Sequence, residues 1–352
     1  MGFAERKEDE KLIKRISAAI RTGNVSHAYI IEGDTQSDKM GFAKDFLKAI
    51  NCRENPGIGC GKCVSCRKID HDNCEDLHVV QADGLSVKDK DISFLQEYME
   101  KGMKTYDLDG TQIDPLDLAK KHGVNAMRLR IWHTPENVPE SGGYCSLERT
   151  IAMAKKIKQE GFDFLLDFHY SDWWADPGQQ RKPKAWENLH GTELEEAVYT
   201  YTKKVLCALK EAGAMPDMVQ IGNEIRSGLL FPDGELPDYA SMVRLVNAGI
   251  RAAREIGGEE LLIMIHLDQG GRYFYLKDWF DRAFEAGLSD FDVIGLSYYP
   301  FWHGTFNDLK ETTKKLIQDF KKPIILAETA HAWRKSKNGF IDEAQEKIAG
   351  FA

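Results

Sequence analysis

The chain has 352 residues, of which 42% are hydrophobic and 29% are charged, and its formal net charge is −9. This length accommodates two domains, or one barrel with an appendage. The negative charge argues against a nucleic-acid-binding surface as the main function, so no nucleic acid is expected as a partner. No apolar run reaches the roughly 18 residues that a membrane span needs. The first ten residues are too acidic and polar for a secretory signal, which predicts a cytoplasmic protein.

A strand followed by a loop of suggestive length stands near the N-terminus. Residues 27–33 read as a strand, and residues 33–40 have the length of a phosphate-binding loop before a helix at 41–50. The chemistry does not fit, because Asp38 stands where a glycine would let the backbone wrap a phosphate. Met40 likewise replaces the hydroxyl residue that holds Mg²⁺. The sequence therefore predicts a strand, turn and helix that bind no nucleotide.

Cysteines are concentrated in one short stretch. Five of the seven lie between Cys52 and Cys74, and four of them have the spacing of structural zinc ligands: Cys52, Cys60, Cys63 and Cys66. Two overlapping C-x-x-C steps with one upstream thiol predict a structural zinc ion. The alternative is a set of reduced thiols without a metal.

Residues 1–90 resemble the N-terminal part of the clamp-loader δ′ subunit of bacterial DNA polymerase III, an AAA+ relative. The resemblance depends on residues 27–29, the degenerate loop at 33–40, the four cysteines and residues 75–80. It implies a small AAA+-like α/β fragment with a structural zinc ion and contacts to clamp-loader proteins. We expect residues 1–90 to form this fragment as one domain.

From about residue 91 the pattern alternates between strands and helices, which is typical of parallel strands with helical crossovers. One predicted helix covers 147–159, and a capping box at 192–195 predicts the start of another that stops near Gly213. The seven predicted strands are 91–93, 126–132, 162–168, 218–222, 262–267, 291–297 and 323–327.

Polar residues cluster at the ends of nearly all these strands. An open doubly wound sheet binds its ligand at one switch point, whereas a closed barrel brings the ends of distant strands together. The pattern favours a (β/α)8 TIM-type barrel, truncated at the C-terminus because no eighth strand is found. The strand-end residues are Arg130, His169, Asp172, Asn223, Glu224, His266, Asp268, Tyr298, Tyr299 and Glu328.

Two of these residues are carboxylates that follow buried strands, Glu224 and Glu328. Paired carboxylates that flank a glycosidic bond are the usual equipment for its hydrolysis, and Asn223 suits a hydrogen bond to a sugar hydroxyl. Aromatic side chains near the strand ends suit stacking against sugar rings, although we expect about half only to pack the rim. A metal site is the alternative for His169, His266, His303, Asp172 and Asp268, but their spacing matches no compact ligand motif.

Residues 91–352 resemble the endo-β-1,4-galactanases of glycoside hydrolase family 53. The resemblance implies retaining hydrolysis of β-1,4-galactan without a cofactor, with Glu224 as acid/base and Glu328 as nucleophile. It implies a polysaccharide substrate, the galactan side chains of pectin, and relatives that are commonly secreted. The matching stretches are 128–132, 166–172, 174–178, 220–225, 266–268, 294–304 and 328–330. The residues expected to contact substrate are Arg130, His169, Asp172, Asn223, Asp268, Tyr298, Tyr299, Trp302 and His303.

The chain departs from the family at both ends of this region. Charged residues at 88–90 replace the small residues expected before the first strand, and an eighth strand is not found. The simplest hypothesis is a joined pair of gene pieces, with domains 1–90 and 91–352. Two rival functions stay open: a clamp-loader fragment in DNA replication, and a barrel that binds carbohydrate without turnover.

Overall fold

The computed structural model describes Phe3, Arg6, Val25 and residues 9–23, 38–70, 89–107 and 110–330. The chain divides into two compact units, Met1–Ser86 and Val87–Ala352. The strand predicted at 27–33, the loop residues 33–37, the Met40 side chain, Cys74 and the stretch 75–80 lie outside the described part.

The described part of the first unit is helical. Its small core consists of Phe3, Ile13, Phe42, Phe46 and Ala49, all buried. The helix predicted over 41–50 is confirmed as the second of three helices, which are α1 (Glu10–Arg21), α2 (Lys39–Asn51) and α3 (Val64–Asp70).

Asp38 caps the start of α2. Its carboxylate accepts a hydrogen bond from the Gly41 amide at 2.8 Å and pairs with the Arg6 guanidinium at 2.9 Å. The free amides of a helix N-terminus are where a phosphate would bind. An acidic side chain already uses that position, which supports the prediction of a loop that binds no nucleotide.

The second unit is organised around a seven-stranded parallel sheet in which neighbouring strands follow one another in chain order. These strands are β1 (Asp89–Asp91), β4 (Ala126–Ile131), β5 (Asp163–Phe168), β6 (Met218–Ile221), β9 (Leu262–Leu267), β10 (Val293–Tyr298) and β11 (Ile324–Thr329). Two short antiparallel pairs stand apart: β2 (Thr105–Tyr106) with β3 (Gln112–Ile113), and β7 (Gly228–Leu229) with β8 (Gly234–Glu235). Among the described residues no backbone strand pairing joins β1 to β11. The structure thus confirms a parallel barrel-type sheet, and seven of its strands lie within the described ranges.

Helices connect the strands, as the alternating pattern predicts. They are α4 (Leu95–Glu100), α5 (Pro115–Lys121), α6 (Leu147–Gln159), α7 (Gly191–Glu211), α8 (Tyr239–Gly257), α9 (Tyr273–Glu285), α10 (Pro300–His303) and α11 (Phe306–Phe320). The helix predicted over 147–159 matches α6. Among the residues that the structure describes, none of these helices combines the length and the apolar character that a membrane crossing requires.

Two local predictions need correction. The first strand ends at Asp91 rather than covering 91–93, because the Asp91 carboxylate accepts the Ser93 amide at 2.9 Å and turns the chain. The capping box predicted at 192–195 does not form, since α7 already begins at Gly191 and no side chain caps it. The preceding residue, His190, pairs instead with Asp233 at 2.8 Å.

The main core lies between the sheet and the surrounding helices. Large rings fill the space between β5 and α7, where Phe168 stacks on Tyr170 with ring centroids 5.5 Å apart. A separate cluster of Leu165, Met264, Val293 and Ala327 fills the inside of the sheet. With both faces buried, the strands form a rigid base for the side chains at their carboxyl ends.

Candidate active site

Arg128 is the centre of the site. It lies on β4 two residues before Arg130, and because side chains alternate along a strand, both point to the same face. Only 2% of Arg128 is exposed. Its guanidinium donates to Asp167 at 2.8 Å, Glu328 at 2.9 Å, Asn223 at 3.0 Å, Gln220 at 3.1 Å and Asp91 at 3.2 Å. One buried cation therefore ties the ends of β1, β5, β6 and β11 together.

Glu328 lies at the end of β11, and each of its two carboxylate oxygens accepts a hydrogen bond from a different donor. Arg128 donates to Oε1, and the Tyr299 hydroxyl donates to Oε2 at 3.1 Å. Burial alone would raise the pKa of Glu328, but the positive charge of Arg128 outweighs burial and holds the pKa below its ordinary value. Glu328 is therefore an ionised carboxylate over the neutral pH range.

Glu224 follows β6 in a left-handed backbone conformation, with φ 47° and ψ 50°. Gly222 permits the turn, because it has φ 82° and a Cβ there would lie 2.5 Å from the Ile225 side chain. Such a conformation is costly for a residue other than glycine and occurs mainly at functional sites. Burial raises the pKa of Glu224 well above its ordinary value, and the negative charges of Glu328 and Asp268 raise it further.

A neutral histidine lies beside the Glu224 backbone. His266 Nδ1 lies 3.0 Å from Asn223 Oδ1 and 3.4 Å from the Glu224 amide, while Nε2 lies 2.9 Å from Ser297 Oγ. Burial lowers the pKa of His266 to about 4, so the ring is uncharged at neutral pH. Asn223 also donates to the Ala175 carbonyl at 2.8 Å, which fixes its amide.

Arg130 and His169 are each fixed by contacts with neighbouring side chains and backbone groups of the site. Arg130 donates to Asp91 at 3.0 Å, and its guanidinium lies 3.9 Å from the Trp174 ring centroid. His169 Nε2 bonds Asp167 at 2.9 Å, and its Nδ1 accepts the Ala175 amide at 3.0 Å. Burial alone would raise the pKa of Asp91, but Arg130 and Arg128 lower it to about 2.

Three residues expected to contact substrate make hydrogen bonds within the protein. Asp172 accepts hydrogen bonds from three groups of the rim loops, including the Thr134 amide at 3.0 Å and the Lys184 amide at 3.0 Å. Tyr298 is fully buried and donates to the Gly304 carbonyl at 2.8 Å. His303 is buried, with Nδ1 3.1 Å from the Ser297 carbonyl. All three side chains are therefore held by neighbours within the protein, and their contact with substrate stays a prediction.

The remaining expected residues border the pair. Tyr299 bonds Glu328, and Trp302, which is 38% exposed, lies with its ring centroid 5.6 Å from that of Tyr299. Asp268 accepts the Arg226 guanidinium at 2.7 Å. The alternative of a metal site built from histidines and aspartates is not supported among the described residues, where the only metal-ligating group of three or more is the cysteine cluster.

A cavity of about 520 Å³ opens on the Glu328 side, between β1 and β11. Its polar wall consists of Asp91, Arg128, Arg130, Tyr299, Glu328 and Thr329. Its aromatic and apolar wall consists of Ile92, Phe94, Leu95, Tyr98, Trp174, Leu326 and Ala327. A concave site with rings on one side and ionised groups on the other is large enough for sugar units.

Sequence reasoning overlooked Arg128, Asp91 and Ser297 as site residues. The signal for Arg128 was present, because two arginines that alternate within an otherwise apolar strand must both face inward and need buried acceptors. Nothing local in the sequence indicates which acceptors those are, since Glu328 lies 200 positions away.

In the first unit, the four predicted zinc ligands come together. The sulfurs of Cys52, Cys60, Cys63 and Cys66 all lie within 4.8 Å of one another. Backbone amides point at them, as with the amides of Asn55 and Cys60, each 3.3 Å from Cys52 Sγ. A zinc ion with Zn–S distances of about 2.3 Å sets its sulfur ligands roughly 3.8 Å apart, close to the 3.9 Å between Cys52 and Cys63. The cluster therefore has the spacing for a tetrahedral metal.

Two carboxyl groups at one edge of a parallel barrel sheet, one with a lowered pKa and the other with a raised pKa, are the equipment of a glycoside hydrolase. Comparison with known families agrees: residues 87–350 match glycosyl hydrolase family 53, and the chain belongs to this family. Residues 8–125 match the family described as DNA polymerase III, delta subunit. That second match continues past residue 90, where the resemblance was expected to end, and overlaps the first.

Individual relatives agree with the family. A protein of Niallia circulans, called "Uncharacterized protein in bgaB 5′ region", is 47% identical over 251 residues, which cover 69% of this chain and 67% of that protein. The endo-β-1,4-galactanase of Bacillus subtilis is 34% identical over 268 residues, which cover 74% of this chain and 60% of the galactanase. The Ignisphaera aggregans GH53 catalytic domain is 42% identical with a TM-score of 0.68, and the match covers 74% of this chain and 73% of that one.

Proposed function

We propose that the second unit hydrolyses internal β-1,4-galactosidic bonds of galactan with retention of configuration. The observation that carries this proposal is the opposite displacement of two pKa values at one barrel mouth: Arg128 lowers the pKa of Glu328, and burial with the neighbouring negative charges raises the pKa of Glu224. An ionised nucleophile and a protonated acid are the two states that the first step of a retaining glycosidase needs.

In this mechanism the Glu328 carboxylate attacks the anomeric carbon while the bond to the leaving oxygen breaks. Glu224 gives its proton to that oxygen, so the released sugar leaves as a neutral alcohol. The now ionised Glu224 then takes a proton from water, and the resulting hydroxide equivalent displaces Glu328 from the sugar. Arg128 and Tyr299 hold the attacking carboxylate in place throughout.

The sugar units on the Glu328 side would occupy the cavity between β1 and β11. Trp174 supplies a ring for stacking, although one face already carries the Arg130 guanidinium. Asn223, fixed by Arg128 and Ala175, is placed to donate to a sugar hydroxyl close to the reacting carbon. Asp172, Tyr298 and His303 would act indirectly by shaping the loops around the substrate.

Galactan is the substrate that the relatives support. The Bacillus subtilis relative is named for cleavage of β-1,4-galactan, and this chain spans 60% of its length. The galactan substrate is therefore a proposal. Membership of glycosyl hydrolase family 53 is a finding and does not depend on it.

The test is a reducing-sugar assay on purified β-1,4-galactan with the full chain. Glu224→Ala and Glu328→Ala should each abolish release, and Glu285→Ala, on the exposed outside of α9, should leave it unchanged. Azide should restore cleavage of an activated aryl galactoside in both variants, with the β-galactosyl azide from Glu224→Ala and the α-azide from Glu328→Ala. Hydrolysis that persists in either variant, or an inverted product, would contradict the assignment.

A second function is favoured by the first unit. The match of residues 8–125 to the delta-subunit family and the four clustered sulfurs support a zinc-bound fragment that contacts clamp-loader proteins. Co-purification of the full chain with clamp-loader subunits, without sugar release from galactan, would make this the main function. Sugar release without co-purification would show that the first unit does not bind clamp-loader subunits.

A further inference from the structure

Arg226 and Tyr275 form a surface beside Glu224 that the proposed bond cleavage does not use. Arg226 lies in the short helical turn Ile225–Ser227, which Glu224 precedes directly. Tyr275 lies in the first turn of α9 and is 45% exposed. The two side chains meet at the rim, with the guanidinium carbon of Arg226 5.8 Å from the Tyr275 ring centroid and Nη1 3.5 Å from the hydroxyl.

Asp268 connects this surface to the acid. It is 5% exposed, accepts Arg226 Nε at 2.7 Å, and its charge helps to raise the pKa of Glu224. Because Asp268 fixes one edge of the guanidinium, the remaining donors of Arg226 point in a set direction, and 29% of its side chain stays exposed. An ordered, exposed guanidinium can donate hydrogen bonds to sugar hydroxyls, and an exposed ring beside it can stack on the sugar.

The position of the pair decides which part of a substrate it meets. The cavity between β1 and β11 is lined by Glu328 and not by Glu224, so it lies on the nucleophile side of the bond. Arg226, Asp268 and Tyr275 belong to the segments after β6 and β9, on the acid side. An acid must stand next to the oxygen that it protonates, and that oxygen belongs to the departing sugar.

We propose that Arg226 and Tyr275 form a subsite for the galactosyl units on the leaving-group side of the cleaved bond. This inference depends on the proposed function. The Tyr275 ring stacks on the apolar C–H face of a galactose unit, and the free donors of Arg226 bind its hydroxyls. The pair determines where along a galactan chain the enzyme cuts, and it takes no part in the chemical step.

Cleavage positions in a short substrate test this directly. Galactopentaose labelled at its reducing end is digested by the full chain and by Tyr275→Ala, and the labelled products are quantified. Loss of a leaving-group-side subsite should move cleavage toward the reducing end, with the ratio of inner to terminal cuts falling about tenfold, the effect of losing one modest contact. Turnover of an aryl galactobioside, whose leaving group has no sugar, should stay within about twofold.

Two further variants separate stacking from hydrogen bonding. Tyr275→Phe keeps the ring and should keep the wild-type pattern, whereas Arg226→Lys keeps the charge but loses the fixed donors and should shift the pattern partway. The matched control is Tyr199→Ala. Tyr199 lies on the outer helix α7, and the guanidinium carbon of Arg251, on α8, lies 6.0 Å from the centroid of its ring. This variant should change nothing.

The outcomes are distinct. An unchanged cleavage pattern in Tyr275→Ala, or an equal loss on both substrates, overturns the subsite while leaving the hydrolase proposal intact. A wild-type chain that cleaves neither substrate overturns the proposed function and the subsite with it.

Discussion

Arg128 and Glu328 lie 200 positions apart in the chain, yet the guanidinium of one donates to the carboxylate of the other across 2.9 Å. Their strands, β4 and β11, are not neighbours in the sheet, so the contact exists only because the sheet curls. The same guanidinium also bonds the buried Asp167 at 2.8 Å. One arginine therefore both holds the fold at this end and keeps the proposed nucleophile ionised.

Replacement of Arg128 should shift the acid limb of the activity profile. Burial pushes the pKa of Glu328 up and Arg128 pulls it down, so in Arg128→Met the carboxyl would be protonated at higher pH. Since Glu328 must be ionised to attack, activity should disappear at a higher pH on the acid side. The measurement is kcat/KM on galactan across pH.

The same variant should also be less stable. Asp167 would be left buried without its cation, a loss of about 3–5 kcal/mol in the free energy of unfolding when a buried pair is broken. Urea denaturation measures this. Arg149→Met, which breaks a pair on the partly exposed rim with Glu100 at 2.9 Å, serves as a control and should cost about 1 kcal/mol or less. Equal destabilisation by both variants would show that the buried network is not special.

The alkaline limb should respond to Asp268. Its negative charge is one of the causes that raise the pKa of Glu224, after burial and Glu328. In Asp268→Asn the pKa of Glu224 should fall, so the acid loses its proton at lower pH and the alkaline limb moves down. The acid limb should move less, because Asp268 is not among the main causes of the lowered pKa of Glu328. A shift of the alkaline limb to higher pH would contradict the assignment of Glu224 as the acid.

The sequence indicated the barrel well because each buried strand is a short apolar run between turn residues. Six of the seven strands were found within a few residues, since a buried parallel strand is mostly apolar. The exception is β1 (Asp89–Asp91), whose sequence Asp-Lys-Asp is charged and which was expected two residues later. The start of α7 was missed because Thr192-x-x-Glu195 resembles a capping box, whereas the helix begins at Gly191 without a side-chain cap. The local pattern does not distinguish between these two starting points.

In the candidate site as well, the sequence predicted what local patterns determine and missed what depends on the fold. Glu224 and Glu328 were predictable because a carboxylate at the end of a buried strand needs a reason to be there. The direction of the Tyr298 side chain was not predictable, because a tyrosine at a strand end can face the cleft or the loop behind it. Only the position of the Gly304 carbonyl, 2.8 Å from its hydroxyl, decides between them.

Metal content should depend on the cysteine cluster. Native mass spectrometry of the full chain purified with zinc should show one bound ion, and Cys63→Ser should reduce it to roughly a tenth or less, because structural sites need all four ligands. Cys207→Ser, outside the cluster, should keep the metal. If chelation leaves the first unit as resistant to proteolysis as before, the cluster is not a structural zinc site.

Gly249 should not tolerate alanine although it lies within a helix. In α8 a glycine costs about 1 kcal/mol relative to alanine, so the exchange would be stabilising if space allowed. A Cβ at this position would lie 2.7 Å from the Tyr170 hydroxyl and 2.9 Å from the Ile221 side chain, and both of these neighbours are buried. We therefore expect Gly249→Ala to lower the free energy of unfolding by about 1–3 kcal/mol, the usual cost of overpacking. Ile221 ends β6 three residues before Glu224, so the same variant should also lower kcat on galactan. A more stable variant with full activity would show that α8 can move away from the sheet without disturbing the strand that presents the acid.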